Sequence, residues 1–315
     1  MVVFSVIIPH YNDEMRLYKC LESLFNQEYE MKKMEVIVVD DCSPVDIQSN
    51  IKLRFPDVRF FRLAKNRGPA PARNFGIANA QGKYLAFVDC DALVGPYWLK
   101  TFEKEFKRGE KVVCGPAFHR NCFLGRITAL TAFGNFLDTQ DGYKPNCPSV
   151  NYAILAETMK DFSYDETLGF TGKKVMPQCE DVLISTQFVS AGLRIRYVVD
   201  AWVLHDPSLA IRKFNRRAFL YGVGFAASRS RDNALDGVWL HKHLKWASCI
   251  PLFGIRTALD LMRMIKHRRI LKVDLINLFP TIMCIIWVRI IYAVGVAEGY
   301  RKEIYNRQIS IKTEQ

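Results

Sequence analysis

The 315-residue sequence has nine cysteines but no C-x-x-C pair, and the odd count leaves no complete disulfide framework. This disfavours structural zinc fingers and disulfide-stapled secreted scaffolds, and the thiols read as buried or incidental groups in a reducing compartment. No basic leader precedes the first apolar run, which sets the expectation of a cytosolic catalytic part. No glycine occurs in Pro9-His10-Tyr11-Asn12, where a triphosphate-cradling loop would need one after a first strand. In the C-terminal third the longest uncharged run, Leu275–Val288, has only 14 residues, short of an unambiguous membrane span. No repeat, low-complexity tract or nucleic-acid-binding motif is present, so no nucleic-acid partner is expected.

Half of the residues are apolar, enough for a sizeable core, and global disorder is excluded. The net charge of +12 is unevenly placed. Residues 1–206 carry 25 Lys and Arg against 25 Asp and Glu, whereas residues 207–315 carry 19 against 7. Such asymmetry points to an anionic partner for the second part.

Continuous apolar runs at Phe4–Pro9, Glu35–Asp40, Val58–Arg62 and Tyr84–Asp89 have strand length, as expected of strands buried on both faces. Met15–Asn26 repeats its apolar residues at helical spacing, and Pro69–Ala80 opens with a proline suited to a first helical turn. This alternation predicts an α/β fold with a doubly wound, mostly parallel sheet whose ligands bind beyond the carboxyl ends of the strands. Three polar clusters fall there: Pro9–Asn12, Asp40–Ser43 and Asp89–Asp91. The Asp89 and Asp91 carboxylates, one residue apart after an apolar run, suit a divalent cation against a diphosphate. Thr139–Ser149, with Gly142, Pro145 and Pro148, reads as a mobile loop, and Asp181–Ala191 as a helix.

SVIIPHYN (Ser5–Asn12), EVIVVDDCS (Glu35–Ser43), NRGPAPARNFGIANAQGKY (Asn66–Tyr84), FVDCD (Phe87–Asp91) and CEDVLISTQFVSAGLRIRY (Cys179–Tyr197) stand in order and spacing. Together they resemble the family-two inverting glycosyltransferases of GT-A fold, over about residues 3–225. The resemblance implies transfer of a single sugar from a nucleoside-diphosphate sugar, a UDP-sugar first among them, assisted by Mg²⁺ or Mn²⁺. It implies donor contacts at Pro9, Tyr11, Asn12, Asp41, Asn66, Arg73 and Asp89. Tyr11 can stack on a base and Asp41 can accept from a base N–H, while Asp40 has helix capping as its plain role. Arg73 offers a fork to a phosphate or to the Asp89 carboxylate.

Asp91 is the implied metal ligand, and His205 falls where relatives place another, although a histidine after a strand is often structural. Asp181 matches the general base and Glu180 an acceptor contact, against plain helix-start capping for both. Asn151 matches an asparagine facing donor sugar or acceptor, with a turn or capping role as the alternative. No Q-x-x-R-W run exists, which favours single transfer over polymerisation, and Ala92-Leu93 follows Asp91 where polyprenyl-phosphate monosaccharide synthases carry Leu-Gln. That synthase and a sugar nucleotidyltransferase are the alternative enzymes. The acceptor class is a lipid-linked or cell-surface glycan.

Residues 1–225 are expected as the catalytic domain and 226–315 as a basic, apolar helical appendage. Its cluster Lys266-His267-Arg268-Arg269, with Lys272, lies between apolar segments. Counted through Arg289, the apolar stretch reaches 23 residues, but a central arginine costs about 2.5–3.5 kcal/mol in a bilayer. Peripheral or monotopic attachment to an anionic membrane surface, on its cytoplasmic face, is therefore expected over a span, with packing against the catalytic domain or in a homo-oligomer left open.

Overall fold

The computed structural model describes residues 1–120, 122–168, 179–206, 210–229 and 243–313. The chain divides into two units, the first formed by residues 1–120, 135–166 and 184–207 and the second by residues 121–134, 167–183 and 208–315.

In the first unit, β1 (Phe4–His10), β2 (Met34–Asp40), β3 (Val58–Arg62) and β4 (Tyr84–Val88) form parallel pairs. Helices α1 (Glu14–Phe25), α2 (Gln48–Arg54) and α3 (Pro69–Ala78) make the crossovers. Every residue of β1 and β2 is buried, which is why these strands read as unbroken apolar runs instead of alternating. Side chains such as Val6, Ile7 and Ile8 are wholly enclosed, each stabilising the core by roughly 1.5–3 kcal/mol. Pro9 is compatible with a central strand because the β1–β4 ladder ends at Ile7 opposite Phe87, so no bond there needs its missing N–H.

The sheet continues with β6 (Val112–Cys114), β8 (Gly142–Lys144), β9 (Asn151–Leu155) and β10 (Ile195–Tyr197), in the order β3-β2-β1-β4-β9-β6-β10-β8. Strand β9 runs antiparallel between β4 and β6, and β8 is an antiparallel edge on β10. The expected loop Thr139–Ser149 thus contains a strand. Gly142–Lys144 has too few residues to show a period, and its strand character comes from pairing with β10. A smaller sheet joins β5 (Ala92–Val94), β11 (Val203–His205) and β7 (Ala117–His119). Helix α4 (Trp98–Lys107) buries Trp98, Leu99 and Phe102.

The chain runs outward through β1, β2 and β3, then returns to β4 on the other side of β1. The order reverses between β1 and β4, and a ligand crevice belongs at their carboxyl ends. Tyr11 and Asn12 follow one of these strands, and Asp89 to Asp91 follow the other.

The second unit holds α5 (Phe123–Phe133), α8 (Ile211–Arg229), α9 (Cys249–Lys266) and α10 (Leu275–Thr313). The short α6 (Ala156–Met159) belongs to the first unit, and α7 (Glu180–Ser190) crosses the division. Helices α8 and α10 pack backbone to backbone. A Cβ on Gly222 would stand 2.1 Å from the Tyr292 carbonyl oxygen, and one on Gly295 2.1 Å from that of Phe219. The boundary drawn at residue 225 therefore cuts through α8, which packs on α10 within the second unit. Of the expected appendage 226–315, residues 230–242 and 314–315 lie outside the described residues.

Along α10 the buried residues Ile285, Val288, Arg289, Tyr292, Val296 and Tyr300 recur at helical spacing, and the opposite face is exposed. Arg289 turns inward. Its Nε donates to Asp260 Oδ2 of α9 at 2.6 Å and its Nη2 to the Thr131 carbonyl of α5 at 2.7 Å. The charge that interrupts the apolar stretch is thus neutralised inside the unit. Residues 275–301 form the one helix among the described residues that is long and apolar enough to cross a membrane, with a mean hydropathy of 1.9.

Candidate active site

Two carboxylates emerge where β4 ends, because Ala92 N–H closes a turn on the Asp89 carbonyl at 3.0 Å. Strand β5 leaves that turn and pairs antiparallel with β11, setting His205 opposite Ala92. Asp206 N–H donates to the Asp91 carbonyl at 2.8 Å and fixes the register. As a result Asp89, Asp91 and His205 each bring a ligand atom within 4.8 Å of the others. His205 Nε2 lies 3.2 Å from Asp91 Oδ1, and its Nδ1 lies 3.3 Å from His119 Nε2, one strand away on β7. Two hard carboxylate oxygens and one imidazole nitrogen fit Mn²⁺ or Mg²⁺, and a second partner on the imidazole is how ligating histidines are oriented.

Arg73 of α3 is buried and donates through Nη2 to Asp89 Oδ1 at 2.8 Å. Of the two expected partners the structure supplies the carboxylate. The guanidinium also lies 5.3 Å over the Tyr164 ring, whose hydroxyl meets those of Tyr152 and Ser149 at 2.7 and 3.0 Å.

The loop after β1 is held by a buried network. Asp13 N–H donates to His10 Nε2 at 3.2 Å, which leaves the ring proton on Nδ1, 3.0 Å from Asp40 Oδ1. Asp40 also accepts from the Ser43 amide and hydroxyl and from Arg62. Burial opposes its ionisation, but the bonds from His10 and Ser43 outweigh that and keep its carboxyl below the usual range. Asp40 therefore ties β1, β2 and β3 together instead of capping a helix. Asn12 N–H donates to Ser43 Oγ at 2.8 Å and holds a left-handed backbone with φ of 50°. The Tyr11 ring beside it is exposed.

Asp41 is buried and accepts from the backbone N–H groups of Arg67 and Gly68 at 2.8 and 2.7 Å. Gly68 adopts φ of 97°, a conformation costly for other residues, which turns its amide towards the carboxylate. Burial pushes the Asp41 carboxyl up to about 6 against the pull of these two bonds. Asn66 is half-buried beside this clamp, next to a groove of about 460 Å³ lined by Leu63, Lys65, Arg67, Asn74 and Glu166.

The sequence profile described as Glycosyl transferase family 2 matches residues 5–168. The chain belongs to glycosyl transferase family 2. A Rickettsia bellii protein described as an uncharacterized glycosyltransferase is 47% identical over 90 residues, 28% of this chain and 13% of that protein. The chain thus spans far less than two thirds of such relatives. The Escherichia coli UDP-Glc:alpha-D-GlcNAc-diphosphoundecaprenol beta-1,3-glucosyltransferase WfaP is 27% identical over 68% of this chain and 82% of its own length. Among solved structures, the mannosyltransferase PcManGT from Pyrobaculum calidifontis, in complex with GDP-Man and Mn²⁺, aligns over 94% of this chain and 86% of its own. The TM-score is 0.63 at 15% identity, a likeness that shows the fold. The GT-A architecture expected from the sequence is the observed one.

Within this family-two chain, Pro9, Tyr11, Asn12, Asp41, Asn66, Arg73, Asp89, Asp91 and His205 all belong to the first unit. Glu180 and Asp181 open α7 within the second unit, with Asp181 Oδ1 accepting from the Val182 amide at 2.8 Å. Asn151 sits at the start of β9. It is fully buried, its Oδ1 accepts from Trp98 Nε1 at 2.7 Å, and its Nδ2 donates to the Pro116 and Ala201 carbonyls at 2.8 Å each. With both amide protons engaged in the core, Asn151 bridges strands. His119 escaped the sequence reading. Like His205 it ends a short apolar run, but only the β7–β11 pairing reveals what it faces.

Proposed function

We propose that this chain is an inverting glycosyltransferase that moves one sugar from a UDP-sugar to a hydroxyl of a lipid-linked or cell-surface glycan. The convergence of Asp89, Asp91 and His205 at the crevice between β1 and β4 carries this reading. A divalent cation bound there supplies the positive charge that stabilises a departing diphosphate.

The chain's own residues divide the remaining work. The exposed Tyr11 ring stacks on the base, and Asp41 accepts from it at the clamp that also orders Arg67 and Gly68. Arg73 holds Asp89 in place and offsets its charge. Asp181, by its match at the head of α7, takes the acceptor hydroxyl proton as the acceptor oxygen bonds to the anomeric carbon and the bond to the diphosphate breaks. Glu180 accepts hydrogen bonds from the acceptor's other hydroxyls.

WfaP uses UDP-Glc and a diphosphoundecaprenol-linked sugar, which favours a uridine donor and a lipid-linked acceptor over polyprenyl phosphate itself. The exposed apolar face of α10 and the basic second unit support peripheral or monotopic attachment at the cytoplasmic face of a membrane. A thermal-shift panel of nucleotide sugars with Mn²⁺ tests the donor, since a ligand of the native state raises its melting temperature. UDP-sugars should give the largest shift. A shift with guanosine nucleotides alone contradicts the uridine assignment, and none with any nucleotide contradicts the function.

A further inference from the structure

We infer that the groove between the end of α9 and the start of α10 seats the phosphate of an anionic phospholipid headgroup, so that this turn docks the second unit on the bilayer. The inference rests on the membrane reading above and deepens it to a site.

The groove has a volume of about 600 Å³ and is lined by Ile265, Arg268, Arg269, Lys272, Leu275 and Leu278. Three cations thus converge on a cavity whose other walls, apart from Asp274, are apolar. Arg126 of α5 fixes the turn, donating through Nη1 to the Lys272 carbonyl at 3.0 Å. The one acid among the lining residues, Asp274, keeps its negative charge but is tied into the turn. Its Oδ1 accepts from both the backbone and side-chain N–H of Asn277, at 2.8 and 2.7 Å. Arg268, Arg269 and Lys272 are all exposed, so their charge faces outward.

The surroundings decide between an anionic bilayer and an acidic protein. Leu275 and Ile276 are 89% and 87% exposed at the rim, and Phe279 and Met283 continue the apolar face along α10. On α9, Leu259, Met262 and Ile265 are exposed at helical spacing. Large apolar side chains beside clustered cations match the boundary between headgroups and acyl chains, where both kinds of group are satisfied at once. An acidic protein surface would satisfy the cations alone.

The test uses the full chain in flotation with phosphatidylcholine vesicles, with and without phosphatidylglycerol. The wild type should bind anionic vesicles and bind neutral ones far more weakly. The variant R268Q/R269Q/K272Q should lose about 100-fold in affinity for the anionic vesicles, from about 1 kcal/mol per cation near such a surface. A control, K32Q/K33Q/K52Q, removes three surface lysines of the first unit and should bind like the wild type. Matching circular dichroism and melting temperature show that both variants fold. If the groove variant binds as the control does, the groove assignment fails while membrane attachment stands. Equal wild-type binding to neutral and anionic vesicles also overturns the headgroup site. Release by millimolar inorganic phosphate at constant ionic strength marks a free-phosphate site and overturns the bilayer assignment. Wild type that floats with neither vesicle removes the membrane reading and the groove with it.

Discussion

His205 Nε2 stands 3.2 Å from Asp91 Oδ1 because β11 pairs with β5, although the two residues come from distant parts of the sequence. Behind His205, His119 Nε2 meets Nδ1 at 3.3 Å and sets the ring's orientation. Loss of such a supporting partner typically weakens metal affinity by about 10–100-fold. Titration calorimetry with Mn²⁺ should show a loss of that order for His119→Ala without loss of fold. Unchanged affinity would make His119 a packing residue.

Asn151→Ala should destabilise the fold by about 3 kcal/mol. It strands the buried Trp98 indole N–H and removes the donors to two carbonyls, each unmet group costing roughly 1–3 kcal/mol before relaxation. Urea unfolding measures this. A nearly neutral substitution that instead raises KM for the acceptor would assign Asn151 the sugar- or acceptor-facing role.

Much of this was legible in the sequence, and the limits are physical. Strands β1, β2 and β4 announce themselves because burial on both faces demands unbroken apolar residues. Asp89 and Asp91 gained meaning from standing at such a strand's end. Strand direction leaves no mark in side chains, so the antiparallel course of β9 was not readable in Asn151–Leu155. Motif position suggested ligand contact for Asn151, and its three distant partners, Trp98, Pro116 and Ala201, appear only in the fold. Arg289 looked like a liability within an apolar stretch until Asp260, on another helix, proved to face it.

Asp41 gives a pH signature. Its carboxyl is raised from 3.8 to about 6 chiefly by burial, so the folded chain holds this proton more tightly than the unfolded one. The stability it contributes is therefore fully present below about pH 4 and is lost as pH rises through about 6. Asp41→Asn removes that titration. Between pH 4 and 6.5 the melting temperature of the wild type should fall relative to the variant. Parallel curves would show that Asp41 is ionised throughout.

Asp181→Asn should preserve donor affinity while cutting turnover by roughly 10²–10⁴-fold, the usual range for removing a general base. Binding and single-turnover measurements with one donor separate the two effects. Equal losses of affinity and turnover would assign Asp181 a structural role at the head of α7.

The most direct test of the central claim is calorimetry of UDP binding to the wild type and to Asp91→Ala, each with Mn²⁺ and with a chelator. The site predicts that wild-type affinity depends on the metal, and that Asp91→Ala abolishes this dependence while melting at nearly the wild-type temperature. Wild-type affinity that is the same with and without Mn²⁺, or metal-dependent binding that survives in Asp91→Ala, would contradict a metal-assisted transferase built on Asp89, Asp91 and His205.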